Sequence, residues 1–126
     1  MSSQMTTLQA ILDKFRADLK TFEEFYRQLH SSPELSGQEE QTALYASEYL
    51  KNLEFEVHTN IGGYGVAEVL PNGDRPTVLL RTDTDALPVQ EKTGLSYASR
   101  KTACTADAVE TPVMNACSHD VHTRKY

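Results

Sequence analysis

The chain has 126 residues, of which 12 are basic and 18 acidic, giving a formal net charge of −6, and 39% are hydrophobic. That length suits one domain with a modest core, burying roughly two-thirds of the surface exposed by the unfolded chain. The acidic balance argues against nucleic acid or anionic membrane as a partner through bulk electrostatics, and no apolar run approaches the ~18 residues of a transmembrane helix.

Met1 to Thr7 is polar and leads straight into an amphipathic helix with no signal-peptide pattern, so a soluble, cytoplasmic location is expected. Leu8, Leu12, Phe15, Leu19, Phe22, Tyr26 and Leu29 recur at alternating spacings of four and three, one apolar stripe on a long helix that Ser31-Ser32-Pro33 ends. Such a stripe serves either a coiled-coil seam or a core face, and its aromatics favour packing on a sheet. Ser36-Gly37-Gln38-Glu39 reads as a capping box opening a second helix, with Ala43, Ala46, Leu50 and Leu53 on its buried face.

The periodicity then becomes strand-like. Phe55, Val57 and Thr59 alternate with more polar residues, Gly62-Gly63-Tyr64-Gly65 breaks the chain, and residues 66–70 form a second strand. Asn72-Gly73 is a tight-turn pair, and Thr77-Val78-Leu79-Leu80 is a continuous apolar run, the pattern of a strand covered on both faces. The expected class is α/β: two helices, then a three-strand meander whose third strand feeds a larger mixed sheet.

That strand runs into Arg81-Thr82-Asp83-Thr84-Asp85. Charged residues at the carboxyl end of a buried strand are where open α/β sheets bind ligands; a solvated strand exit is the equal alternative. Residues 89–112 are mostly polar and aperiodic, as in a long functional loop.

The most informative stretch is Met114-Asn115-Ala116-Cys117-Ser118-His119-Asp120-Val121-His122-Thr123. A thiolate and an imidazole, Cys117 and His119, are ligand types that suit zinc and other late divalent metals. Positions two apart share a face only on extended backbone, so a common site requires a loop at 117–119 and a helix starting no earlier than about Asp120, itself a good N-cap. The plainer alternative is a buried small hydrophobe and a loop histidine. Cys104 and Cys117 could close a disulfide, which a reducing compartment disfavours. A self-contained zinc site from Cys104, Cys117, His119 and His122 has a spacing that matches no common module.

The order of Leu29-His30-Ser31-Ser32-Pro33-Glu34-Leu35 with Glu39, then Leu80-Arg81-Thr82-Asp83-Thr84-Asp85-Ala86-Leu87-Pro88-Val89-Gln90-Glu91, then Gly94-Leu95-Ser96-Tyr97-Ala98-Ser99, then Cys117-Ser118-His119-Asp120-Val121-His122-Thr123 resembles the N-terminal part of the metal-dependent amidohydrolases. These include hippurate hydrolase, N-acyl-amino-acid amidohydrolase and auxin-conjugate hydrolases, within the aminoacylase and zinc carboxypeptidase superfamily. The resemblance implies the N-terminal part of a zinc-peptidase-like catalytic domain and hydrolysis of N-acyl amino acids or related peptide-like conjugates at a two-metal centre, with zinc, manganese, cobalt or nickel as the metal. It implies Cys117 and His119 as metal ligands and Asp83 as the acid that orients the site without binding the metal; Asp85, Asp120 and His122 match motif positions but receive no ligand role.

Three positions depart from the family pattern. Asn115 stands where the family has histidine, and Ser118 where it has glycine, a substitution that strains the backbone if φ there is positive. The paired-glutamate motif carrying the general base, the later histidine ligands and the smaller inserted domain have no counterpart in residues 1–126. Glu23-Glu24 and Glu39-Glu40 fall on the early helices and do not replace that motif. The expectation is one incomplete metallohydrolase domain, inactive alone, since two ligands and no base leave no route to the chemistry. The alternative is a non-catalytic binding or regulatory paralogue, pairing with a full-length relative or forming an oligomer through an exposed sheet edge.

Overall fold

The computed structural model describes residues 2–123, with side chains from Met5 onward; the ends of the leader and last-helix readings, Met1 and 124–126, lie outside them. The helix α1 spans Ser2–Ser31 and α2 Glu40–Lys51. The strands β1 (Glu56–Ile61) and β2 (Gly65–Val69) form one antiparallel hairpin, β3 (Thr102–Cys104) and β4 (Glu110–Pro112) another, and the helix α3 spans His119–Thr123. The mixed α/β class expected from the sequence is the one observed. Among the described residues no helix is long and apolar enough to cross a membrane.

The expected stripe on α1 is helical throughout but covered only at its C-terminal end. There Phe25 and Leu29 pack with Ala46 of α2, and the Tyr45 ring stacks on Phe25 at 4.8 Å between centroids. Phe25, absent from the stripe, is more deeply buried than Phe15 because Ala46 and the rings of Tyr45 and Tyr49 from α2 pack against it. Phe15 and Leu19 are 54% and 53% exposed, since no other described element lies against that half of the helix.

The capping box does not form. Glu39 sits at the N-cap without a side-chain bond, and the helix starts at Glu40. Glu34 caps it from outside: its carboxylate accepts from Gln41 N–H at 3.1 Å, and from Thr42 N–H and the Thr42 hydroxyl, both at 2.6 Å. A carboxylate at a helix N-terminus meets unpaired donors and the positive end of the dipole together. The buried positions of α2 are Thr42, Ala46, Ser47 and Leu50. Leu53, expected inside, is exposed because it follows the helix end.

The β1–β2 hairpin pairs Val57 with Glu68 and His58 with Ala67, with a register shift before Ile61. Gly65 is required there: a Cβ on it would collide with the Ile61 carbonyl oxygen. The meander stops at two strands. Residues 77–80 run without ladder partners, with Val78, Leu79 and Leu80 exposed at 79%, 88% and 66%. An apolar run declares a preference for burial, but a strand also needs neighbours for its N–H and C=O groups, and none of the described residues supplies them. The Asn72-Gly73 turn survives as a bend closed by Arg75 N–H to the Gly73 carbonyl at 3.0 Å.

Further on, the chain is tied together by single bridges. Ala86 N–H donates to the Glu34 carbonyl at 2.8 Å, and Leu87 exchanges two bonds with Met114. Leu35, Ala86 and Val113 form a second small core there. The loop expected at 89–112 is folded back on itself as the β3–β4 hairpin.

Glu34→Ala should therefore cost about 1–2 kcal/mol in denaturant unfolding, within the usual range for a lost N-cap, whereas Ser36→Ala, at an exposed turn, should change stability by less than about 0.5 kcal/mol. The reverse order of effects would reinstate the capping box.

Candidate metal centre

Residues 115–118 leave the second core as a turn, and Ser118 adopts φ of +62°. The Ser118 carbonyl accepts from Val121 N–H and His122 N–H, both at 3.1 Å, so Ser118 and not Asp120 stands just before the helix. Asp120 is displaced from the expected cap because its side chain is used elsewhere. It is buried, with one oxygen 2.7 Å from His30 Nδ1.

His119 opens α3, its Nδ1 2.8 Å from the Asp85 carbonyl oxygen and 3.1 Å from the Asp85 carboxylate. The main-chain oxygen can only accept, so Nδ1 carries the proton, and a neutral ring then offers its lone pair at Nε2. Orienting a histidine through its other nitrogen is how proteins present an imidazole to a metal. Cys117, two residues before it, is an exposed free thiol. A thiolate and an imidazole Nε2 fit a borderline divalent cation as part of a ligand set.

Asp83 and Asp85 divide the acidic strand exit between them. The Asp83 carboxylate pairs with Arg81 at 2.7 Å, and this bond, then the charge of Arg81, then the nearby His119, hold its carboxyl below the usual range. Its carbonyl accepts from the Thr123 hydroxyl at 3.3 Å. The residue directly bonded to the His119 ring is thus Asp85, which sequence reasoning placed in the motif without a ligand role. Among the described residues no three His, Cys, Asp or Glu side chains gather closely enough to hold an ion. Cys104, exposed in β3, is a free thiol too, and the two cysteines form no disulfide. An open groove of about 640 Å3 lined by Glu91, Leu95, Ser99, Lys101 and Pro112 includes none of Asp83, Cys117 and His119 in its walls.

What sequence reasoning missed is the cluster of His30, Glu91 and Asp120, residues it met only as motif positions or, for Asp120, as a helix cap. His30, on the last turn of α1, has Nδ1 2.7 Å from Asp120 and Nε2 2.8 Å from Glu91, and all three side chains are almost wholly excluded from solvent. Carboxylates only accept, so a ring bonded to one at each nitrogen is an imidazolium. Burial alone pushes His30 down, but the bonds to Glu91 and Asp120 outweigh it and hold the ring above its ordinary value. Burial likewise pushes Glu91 up, and Thr93, His30 and the Ser99 N–H together bring it below the usual carboxylate range. Tyr26 and Tyr97 flank the ring at 5.4 and 5.5 Å; burial, then the charge of Asp120, raises Tyr26 to about 12. The available signal was a histidine on the helix's buried edge, directly after Leu29.

An α/β fold carrying an exposed thiol two residues before an imidazole oriented by Asp85 defines the class of protein in which to look for relatives. No protein-family model matches the chain. The hippurate hydrolase of Campylobacter jejuni is 42% identical over 103 residues, covering 81% of this chain and 24% of that protein. The N-acetyl-L-cysteine deacetylase of Bacillus subtilis is 38% identical over 98 residues, covering 77% of this chain and 21% of that one. A solved Bacillus subtilis structure, a dinuclear metal-binding peptidase from the M20 family, matches with a TM-score of 0.73 at 32% identity, over 86% of this chain and 28% of its own. The chain belongs to this family of amidohydrolases and M20 peptidases, and it spans about a quarter of the length of the curated relatives it matches.

Two outcomes follow from the geometry. Ser118→Gly should raise stability by about 0.5–1 kcal/mol in denaturant unfolding, relief of left-handed strain (about 1–2 kcal/mol) being partly offset by the freedom of glycine in the unfolded chain; an unchanged or lower midpoint contradicts the strain. The raised His30 contributes stability that is complete below its unfolded value near 6.5 and is lost as pH climbs through the folded value. The lowered Glu91 contributes above its ordinary 4.5 and loses that as pH falls through its folded value. The melting temperature should therefore decline as pH rises above about 6.5, and His30→Gln should flatten that decline; a flat wild-type profile contradicts a charged His30.

Proposed function

We propose that this chain contributes the Cys117 and His119 ligands of a metal-dependent hydrolase acting on amide bonds in N-acyl amino acids or similar peptide-like conjugates. The observation that carries the reading is the His119 ring, tied through Nδ1 to Asp85 with Nε2 left for a cation, two residues after the exposed Cys117 thiol. Membership of a family containing a hippurate hydrolase and an N-acetyl-L-cysteine deacetylase supports the substrate class, and the dinuclear metal-binding peptidase supports a divalent cation. Zinc is the first candidate for a site with a thiolate, with manganese, cobalt and nickel as alternatives.

When bound, such an ion polarises the scissile carbonyl and acidifies its water. The side chains here hold and orient: Asp85 fixes the imidazole, and Asp83, ionised beside Arg81, keeps negative charge near His119. The described residues bring no third donor and no proton-accepting glutamate to this pair. A positioned base is worth about 100- to 10,000-fold, so a polypeptide of these 126 residues binds the ion without turnover.

Titration with Co2+ tests this directly. The protein should develop a thiolate-to-cobalt charge-transfer band that Cys117→Ser abolishes and Cys104→Ser leaves intact, while hippurate and N-acetyl-L-cysteine remain unhydrolysed. A band that survives Cys117→Ser removes the ligand assignment, and turnover by the loaded protein removes the assignment of the base to other residues.

A further inference from the structure

The pair Cys117 and His119 is carried on a short segment bound on both sides to consecutive residues of α1. On the near side Asn115, buried, donates from its side-chain nitrogen to the Leu29 carbonyl at 3.0 Å. On the far side Asp120 accepts from His30 Nδ1 at 2.7 Å. The anchors sit two residues before Cys117 and one after His119, and both reach the last turn of a helix 86 and 90 residues earlier in the chain. His30 is in turn held by Glu91, which Thr93 and the Ser99 N–H fix in place.

We propose that His30 and Asn115 are positioning residues for the metal ligands, clamping the 115–120 segment onto the end of α1 so that Cys117 and His119 are presented from a fixed backbone. This rests on the reading of Cys117 and His119 as ligands. A segment this short, entered through a left-handed Ser118, has no ladder of its own to define its path. Asn115 shows what the anchoring costs: its side-chain oxygen is buried without a hydrogen-bond partner among the described residues, an arrangement normally unfavourable by about 1–3 kcal/mol. The side chain is placed for its donor, and that donor serves the tether. The clamp holds α1 to the ligand segment and the Asp85 contact sets the ring, so each restrains a different freedom of the pair.

Co2+ affinity and the thiolate charge-transfer band measure the clamp without any assay of activity. Groups that orient metal ligands typically change affinity ~10- to 100-fold when removed. His30→Gln and Asn115→Ala, each checked for helix content by circular dichroism, should bind Co2+ at least tenfold more weakly than the wild type, with a weakened or shifted thiolate band. Folded variants that match the wild type within twofold and keep its spectrum overturn the clamp. If His30→Gln does not fold, Asn115→Ala, which leaves the buried charges untouched, decides by the same criterion. A wild type that shows no thiolate band at all overturns the ligand reading, and the clamp with it, and that result is distinct from a clamp failure in which the wild type binds.

Discussion

A charged imidazole held between two buried carboxylates is the constraint around which the second half of the chain is arranged. His30 ends α1, Glu91 lies in the segment after the acidic strand exit, and Asp120 lies in α3. One side chain thus joins three stretches that share no strand ladder. Burying such charges is unfavourable unless each is paired and the remaining oxygens are satisfied. Glu91 meets that condition through Thr93 and Ser99, and Asp120 through the Val121 N–H. Removing one partner of a buried ion pair typically costs about 3–5 kcal/mol, so the cluster is intolerant of change in a way that surface pairs such as Arg27 with Glu23 are not.

Glu34 does for the first half what His30 does for the second. Its carboxylate closes the N-terminus of α2 and its carbonyl holds Ala86. The turn after α1 therefore fixes both the direction of the second helix and the approach of the Asp83 to Asp85 segment. The metal-ligand reading depends on this, because Asp85 reaches His119 only if residues 83–87 lie between Leu35 on one side and Met114 on the other.

Against these tied regions stand two apolar surfaces without cover among the described residues, the N-terminal half of α1 and residues 78–80. Contiguous exposed apolar surface is uncommon on a self-sufficient domain. The chain spans about a quarter of its relatives' length, and residues 29–35, 86–91 and 113–120 are joined to one another by hydrogen bonds and a small core.

The sequence by itself determined the helices, the first hairpin, the α/β class and the family, because these are written in local periodicity, in turn residues and in motif order. It also singled out Cys117 and His119 as candidate ligands and marked Ser118 as strained if its φ were positive, since ligand-type side chains and a replaced glycine are both legible in single positions. Tertiary structure alone decided that Glu34 caps α2 in place of Ser36, that Asp85 bonds the His119 ring while Asp83 turns to Arg81, and that the apolar run at 77–80 finds no partner strand among the described residues. It alone revealed the His30, Glu91 and Asp120 cluster, whose members lie 61 and 90 residues apart in sequence. A carboxylate's partner is chosen by which donor the folded chain brings within 3 Å, and no residue's identity or local spacing carries that information.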